Sequence, residues 1–300
     1  MQNFLRRVLR GALRLLFKGV IGRSIPEPVE RVWMAMVASS TLGARGTHIE
    51  RGLWGVPGEW VRQRDLQDGP VLLYLHGGGY TLGSPRTHRA LASHIAATAR
   101  CQVLVPEYRL APEHPYPAAV EDAVAAYRCL LDRVGADRIA LAGDSAGGGL
   151  ALCTALALRD AGLPLPRSLV LLSPWTDLSL SGETIDRLDT VDPMLRRAWL
   201  QRAGDAYRGD LAATDPRVSP LHASLDGLPP MLIQVGSDEI LLSDSQRLAD
   251  KARATGLTVR LEIEEGYWHD FQVHAGVLDA ADAAIGRIGE FLREHWAAPR

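Results

Sequence analysis

The chain has 300 residues, 47% apolar and 23% charged, and its 33 basic and 35 acidic side chains leave a net charge of −2. That composition suits a globular protein with a sizeable core, and the charge balance gives no reason to expect nucleic acid or a strongly acidic partner. Cys101, Cys129 and Cys153 are odd in number and each sits among apolar residues. They read as reduced core thiols rather than a disulfide framework or a zinc site, and no apolar run reaches the roughly 18 residues of a membrane span. The expectation is a cytoplasmic protein.

The N-terminal segment MQNFLRRVLRGALRLLFKGVIG contains no acidic residue before Glu27. On a 3.6-residue helix Leu5, Val8, Leu9, Ala12, Leu16 and Val20 share one face, and Arg6, Arg7, Arg10, Arg14 and Lys18 the other. Such a helix suits peripheral contact with an anionic membrane or a lid whose apolar face packs over the protein's own pocket; the lid is the favoured reading. Residues 1–45 are expected to be such covering helices.

From about residue 47 short β-like runs alternate with helical patterns. THIERGLWGVPG and EWVRQRDL read as an opening pair of strands. The runs at 71–75, 101–106, 138–143, 169–173, 231–236 and 259–263 follow as strands, several apolar throughout, as strands buried on both faces are. Helical patterns span 86–99, 118–133, 146–160, 243–255 and 276–296. The alternation predicts an α/β fold with an open, mainly parallel sheet flanked by helices and function at the strands' carboxyl ends. It breaks over 178–225, which reads as a helical insertion between core segments 46–177 and 226–300.

The stretch LAGDSAGGGL (141–150) sets Ser145 between glycines at a strand–turn–helix junction, the context of a nucleophile elbow. A bare G-x-S-x-G arises by chance in roughly one chain in ten of this length, so the companions decide. HGGGY (76–80) follows a strand with three glycines, which are costly to order and suit backbone N–H groups turned towards a ligand. Gly77 and Gly78, joined by Ala146, are the candidate oxyanion donors. No lysine follows that would make this a phosphate loop. If the partners follow in the order serine, acid, histidine, the base is His269, in the loop after the last strand, and the acid leaves the preceding strand. Asp238 fits that place, with Asp177 as the alternative.

With these residues in place, the sequence resembles the hormone-sensitive-lipase-like family of α/β-hydrolases, the bacterial family IV esterases. The resemblance rests on HGGGY, EYRLAPEHPYPAAVED (107–122), GDSAGG (143–148), LLSPWTD (171–177), DPRVSPL (215–221), LPPMLIQVGSDEILLSD (228–244) and EGYWHDF (265–271). It implies an α/β-hydrolase fold with a helical cap formed by the N-terminus and the insertion. It implies a catalytic triad of Ser145, Asp238 and His269, and an oxyanion hole of Gly77, Gly78 and Ala146. It further implies hydrolysis of short- to medium-chain acyl esters without metal or organic cofactor. The GDSAG form places Asp144 before the nucleophile, and Asp144, Tyr80 and Trp268 are pocket candidates, the two aromatics being equally suited to packing. The acid loop departs from the family, which often has proline or leucine after the aspartate. In the 107–122 segment, expected to brace the oxyanion loop, an internal ion pair of Arg109 and Glu113 is favoured over substrate contact. Amide, lactone or acetyl-group hydrolysis by the same triad stays open, as does a homodimer. A non-catalytic ligand receptor is disfavoured because no triad member is missing.

Overall fold

The computed structural model describes residues 1–20 and 25–298; residues 21–24 and 299–300, including the end of the basic segment at Ile21 and Gly22, lie outside the described residues. Two helices open the chain: α1 (Gln2–Leu13), continued by a π-helical turn over Arg14–Lys18, and α2 (Glu27–Ala38). The hairpin β1 (Thr47–Trp54) and β2 (Val56–Gln63) follows, then β3 (Val71–Leu75), α3 (Pro85–Ala99), β4 (Gln102–Pro106), α4 (Ala118–Val134), β5 (Ile139–Asp144), α5 (Ala146–Asp160) and β6 (Leu169–Leu172). The chain ends with α6 (Glu183–Arg187), α7 (Arg197–Arg208), β7 (Met231–Gly236), α8 (Leu242–Ala254), β8 (Val259–Glu264) and α9 (Asp279–Ala297).

The eight strands form one sheet in the order β1-β2-β4-β3-β5-β6-β7-β8. The β1–β2 and β2–β4 pairs are antiparallel and every later pair is parallel. The hairpin turns at Gly55 rather than near Gly58, because Gly55 has a left-handed φ of 76° and lies where a Cβ would stand 2.4 Å from the carbonyl oxygen of Ala125.

Alternation along the strands builds two cores. Leu73, Leu75 and Leu141 meet α4, α5 and α8 through residues such as Leu130, Leu150 and Leu248. Leu72, Tyr74 and Ala142 face α3 and α9 through Leu91, Ile95 and Ile288. Each such side chain, fully buried, stabilises the fold by roughly 1.5–3 kcal/mol relative to exposure. Because β3 is flanked by β4 and β5, the crossovers from β3 and β5 diverge and leave a crevice at their carboxyl ends. The glycine loop and Ser145 both open into it.

Helices α1 and α2 and the stretch containing α6 and α7 lie together over that crevice. Glu30 of α2 pairs with Arg202 of α7 at 2.5 Å, and Arg10 and Arg14 of the first segment donate to the carbonyl of Val191. Leu9, Ala12 and Leu16 of the expected apolar face line the cavity, but the inward side also takes in residues outside that face. Leu13 and Phe17 turn inward, Val8 stays half exposed, and Lys18 is buried with its Nζ donating to the carbonyls of Asp189 and Asp192. The π-turn, closed by the Gly19 N–H on the Arg14 carbonyl at 2.9 Å, rotates the residues after it relative to a regular helix and carries Lys18 off the solvent face.

Candidate active site

The nucleophile turn is built by strain and close packing. Ser145 has φ 53° and ψ −121°, a conformation costly for a residue with a side chain, and it stands between β5 and the N-terminus of α5. The turn fits because position 147 has no side chain: a Cβ on Gly147 would lie 2.0 Å from the Leu75 carbonyl oxygen and 2.5 Å from that of His76. Ala146 is the first residue of α5, and the N–H groups of a helix's first turn have no intrahelical carbonyl to bond.

The loop after β3 is tied down from several sides. Tyr108 Oη donates to the His76 carbonyl at 2.6 Å, and the Ala111 N–H donates to the Tyr80 carbonyl at 2.9 Å. The 107–122 segment therefore braces this loop, but Arg109 and Glu113 do not pair with each other. Arg109 binds Asp122 and Glu121, while Glu113 takes both guanidinium nitrogens of Arg31 from α2. Arg31 also donates to the carbonyls of Thr81 and Ala111.

Gly77 is brought to the site, yet its N–H is engaged by Asp144 Oδ1 at 3.0 Å. Gly78, with φ 119°, lines the cavity. Asp144 itself is buried under three donors: Tyr74 Oη at 2.7 Å, the Gly77 N–H, and His88 Nε2 at 3.2 Å. Burial alone would raise its pKa, but His88 and Tyr74 hold the carboxyl below its ordinary value. Burial and the nearby His88 push His76 down to about 3, so it is neutral.

His269 follows β8, and its Nε2 lies 2.9 Å from Ser145 Oγ. Its other nitrogen meets a residue that sequence reasoning passed over: Nδ1 is 3.1 Å from Glu239 Oε1. Glu239 is fully buried, and its second oxygen accepts from Ser173 Oγ at 2.8 Å and the Gly236 N–H at 2.9 Å. Asp238, expected in this role, turns the other way. Its carboxylate pairs with Arg10 of α1 at 2.5 Å, with both side chains about a quarter exposed. Asp238 and Glu239 are consecutive residues of the turn that leaves β7, and their carboxylates go to different partners, so a slip of one residue changes which carboxylate faces the histidine. The departure in the acid loop was the available signal: with Glu239 as acid, the residues that follow are apolar, Ile240 and Leu241. The alternative Asp177 is buried elsewhere, bound to Arg247, His222, Ser179 and Ser181.

A family model described as the α/β-hydrolase fold matches residues 72–273, two thirds of the chain. An acetyl-hydrolase of Streptomyces hygroscopicus is 48% identical over 239 residues, 78% of this chain and 79% of that protein. A solved esterase of the bacterial hormone-sensitive lipase family is 41% identical, covers 98% of both chains and superposes with a TM-score of 0.93. The chain belongs to the hormone-sensitive-lipase-like α/β-hydrolases. The esterase EstE5, in a crystal soaked with p-nitrophenyl butyrate, is 40% identical with a TM-score of 0.92 over 98% of this chain and 99% of its own.

In this hydrolase Ser145 and His269 open onto a cavity of about 240 Å³. Leu9, Leu13 and Phe17 from the N-terminal segment and Met194, Leu195 and Trp199 from the insertion wall it. Asp144 lines the cavity; the other two pocket candidates are packing residues. Tyr80 is fully buried with its ring stacked 3.6 Å from that of Tyr207, and Trp268 is buried in the core beneath α9. Among the described residues no cluster of His, Cys, Asp and Glu is arranged to hold a metal, and no helix is long and apolar enough to cross a membrane.

Proposed function

We propose that the protein is a serine carboxylesterase acting on short- to medium-chain acyl esters through an acyl-enzyme, with Ser145, His269 and Glu239 as its catalytic triad. The observation that carries this reading is the run of contacts from Ser145 Oγ to His269 Nε2 and from Nδ1 to Glu239, at the floor of an apolar cavity. His269 in the tautomer that donates Nδ1–H to Glu239 presents a lone pair at Nε2 to the serine hydroxyl. Ser145 attacks the ester carbonyl as its proton passes to Nε2, and Glu239 stabilises the imidazolium without taking a proton. The Gly78 and Ala146 N–H groups receive the oxyanion, each such donor contributing about 3 kcal/mol in the transition state. Gly77 acts one step removed, holding the loop on Asp144. The imidazolium then protonates the departing alkoxide, and water repeats the sequence on the acyl-enzyme.

Helices α1 and α2 with the insertion serve as the lid. The apolar side of α1 lines the cavity, and Arg10 and Lys18 are engaged by Asp238 and backbone carbonyls, which favours the lid over a membrane contact. A cavity of about 240 Å³, set against about 30 Å³ for one water in the liquid, holds an acyl chain of several carbons. Ser145→Ala is expected to lower p-nitrophenyl butyrate hydrolysis by about 10³-fold or more. Wild-type rates across acetyl to palmitoyl esters are expected to fall beyond the medium chains. Retention of more than a few per cent of activity by Ser145→Ala would refute the mechanism.

A further inference from the structure

The Nε2 atom of His269 has a second neighbour. Asp270 Oδ2 lies 3.0 Å from it, as close as the serine, and Asp270 lines the same cavity. Its other oxygen, Oδ1, is buried without a hydrogen-bond partner. The backbone at this position is left-handed, φ 52° and ψ 37°, where glycine sits most easily and Asp or Asn is tolerated. The Asp270 N–H donates to Ser173 Oγ, the hydroxyl that also binds Glu239, so one serine aligns both carboxylates about the imidazole.

The surrounding charges come from four directions. Glu239, after β7, faces Nδ1. Asp144, at the end of β5, carries His88 from α3 and Tyr74 from β3. Asp192, ahead of α7, accepts the Ile240 N–H beside Glu239. Arg10 of α1 is held by Asp238. The imidazole therefore sits between two carboxylates, one on each ring nitrogen, with no guanidinium or ammonium recorded in contact with either among the described residues.

We propose that Asp270 is a second carboxylate partner of the catalytic base, accepting the Nε2–H of the His269 imidazolium in alternation with Ser145 Oγ. The inference rests on the triad reading above. During acylation the Ser145 O–H bond breaks and an Nε2–H bond forms; Asp270, ionised, stabilises that proton on nitrogen until the alkoxide leaves with it. The same arrangement inhibits at lower pH. One proton lodged between Nε2 and Oδ2 occupies the lone pair that Ser145 needs, and it must leave before turnover begins. The directions of titration agree. Burial would depress His269, but Asp270 and Glu239 hold it well above the usual imidazole value. Burial pushes Asp270 up to about 7, opposed by His269 and assisted by Asp144.

The test is the pH profile of kcat/KM for p-nitrophenyl butyrate, from about pH 5 to about 9 across the imidazole range, on full-length wild type and Asp270→Asn. Asn keeps the shape and accepts the left-handed backbone. The expected result is an acid limb displaced downward by about 1 pH unit or more, with a several-fold lower alkaline plateau, so that the two profiles cross. Asp270→Gly, which relaxes the backbone, is expected to show the same displacement. A uniform loss at every pH with the acid limb unmoved in both variants, or an acid limb displaced upward, would overturn the proposal. Neither outcome bears on whether Ser145 is the nucleophile, which the Ser145→Ala measurement decides separately.

Discussion

The nucleophile turn after β5 and the acid loop after β7 both leave carboxyl ends of parallel strands, and each aims one side chain at His269. They do so by different means. At the turn the direction of Ser145 is set locally, by its own φ of 53° and by glycine at 147 where no Cβ fits. In the acid loop no residue from 237 to 241 has a left-handed φ; the one close approach is at its start, where a Cβ on Gly236 would lie 2.4 Å from the Tyr267 carbonyl oxygen. Glu239 is held by Ser173 Oγ after β6 and by the Gly236 N–H at the end of β7, and the Ile240 N–H that follows it is anchored on Asp192. Its neighbour Asp238 is drawn outward by Arg10 of α1. A strained turn fixes a side chain through the chain's own stereochemistry, whereas a cradle of hydrogen bonds fixes it only once the tertiary structure is assembled.

Glu239→Gln should produce the largest effect that separates the two regions. The amide removes the charge that stabilises the imidazolium and allows the wrong histidine tautomer, so kcat is expected to fall about 10³- to 10⁴-fold with little change in KM. The thermal transition should move far less than kcat. A loss of tenfold or less would mean that the cradle does not hold the catalytic acid.

At the nucleophile turn the telling change is Gly147→Ala. The new methyl would press on the carbonyl oxygens of Leu75 and His76, backbone atoms that cannot swing aside. The expected cost is about 3 kcal/mol of stability, read as a Tm lower by roughly 6–12 °C for a chain of this size. A variant as stable as wild type would show that this turn is less rigid than its contacts imply.

The same contrast explains what could be read in the chain before folding. The strands, the core helices and the meeting of Ser145 with His269 were legible because apolar runs, glycines and motif order are local signals. The carboxylate that meets His269 lies one residue beyond the expected one; the only local signal was the apolar pair after Glu239, and what separates the two is that Asp238 faces Arg10 and Glu239 faces Ser173. Gly77 was placed at the oxyanion site, but the acceptor that takes its N–H, Asp144, lies 67 residues away. Arg109 and Glu113 were paired for the same reason, their partners Asp122 and Arg31 lying on separate helices. The inward turn of Lys18 depends on a π-turn, for which the 3.6-residue pattern gives no warning.

The smallest expected effect is the sharpest comparison within the acid loop. Asp238 and Arg10 are 25% and 24% exposed, so their ion pair is screened and contributes about 0.2–1 kcal/mol. Asp238→Asn and Arg10→Ala should each leave kcat within a few-fold of wild type, and the double variant should be no worse than the more affected single one, because both remove the same contact. Since Arg10 also donates to the Val191 carbonyl, Arg10→Ala should be the more affected of the two. If Asp238→Asn instead lost activity on the scale of Glu239→Gln, the acid would be Asp238 and the loop would have to turn by one residue during catalysis. If only the Arg10 variant lost activity, and did so by raising KM, the contact would belong to the closed lid over the ester rather than to the acid.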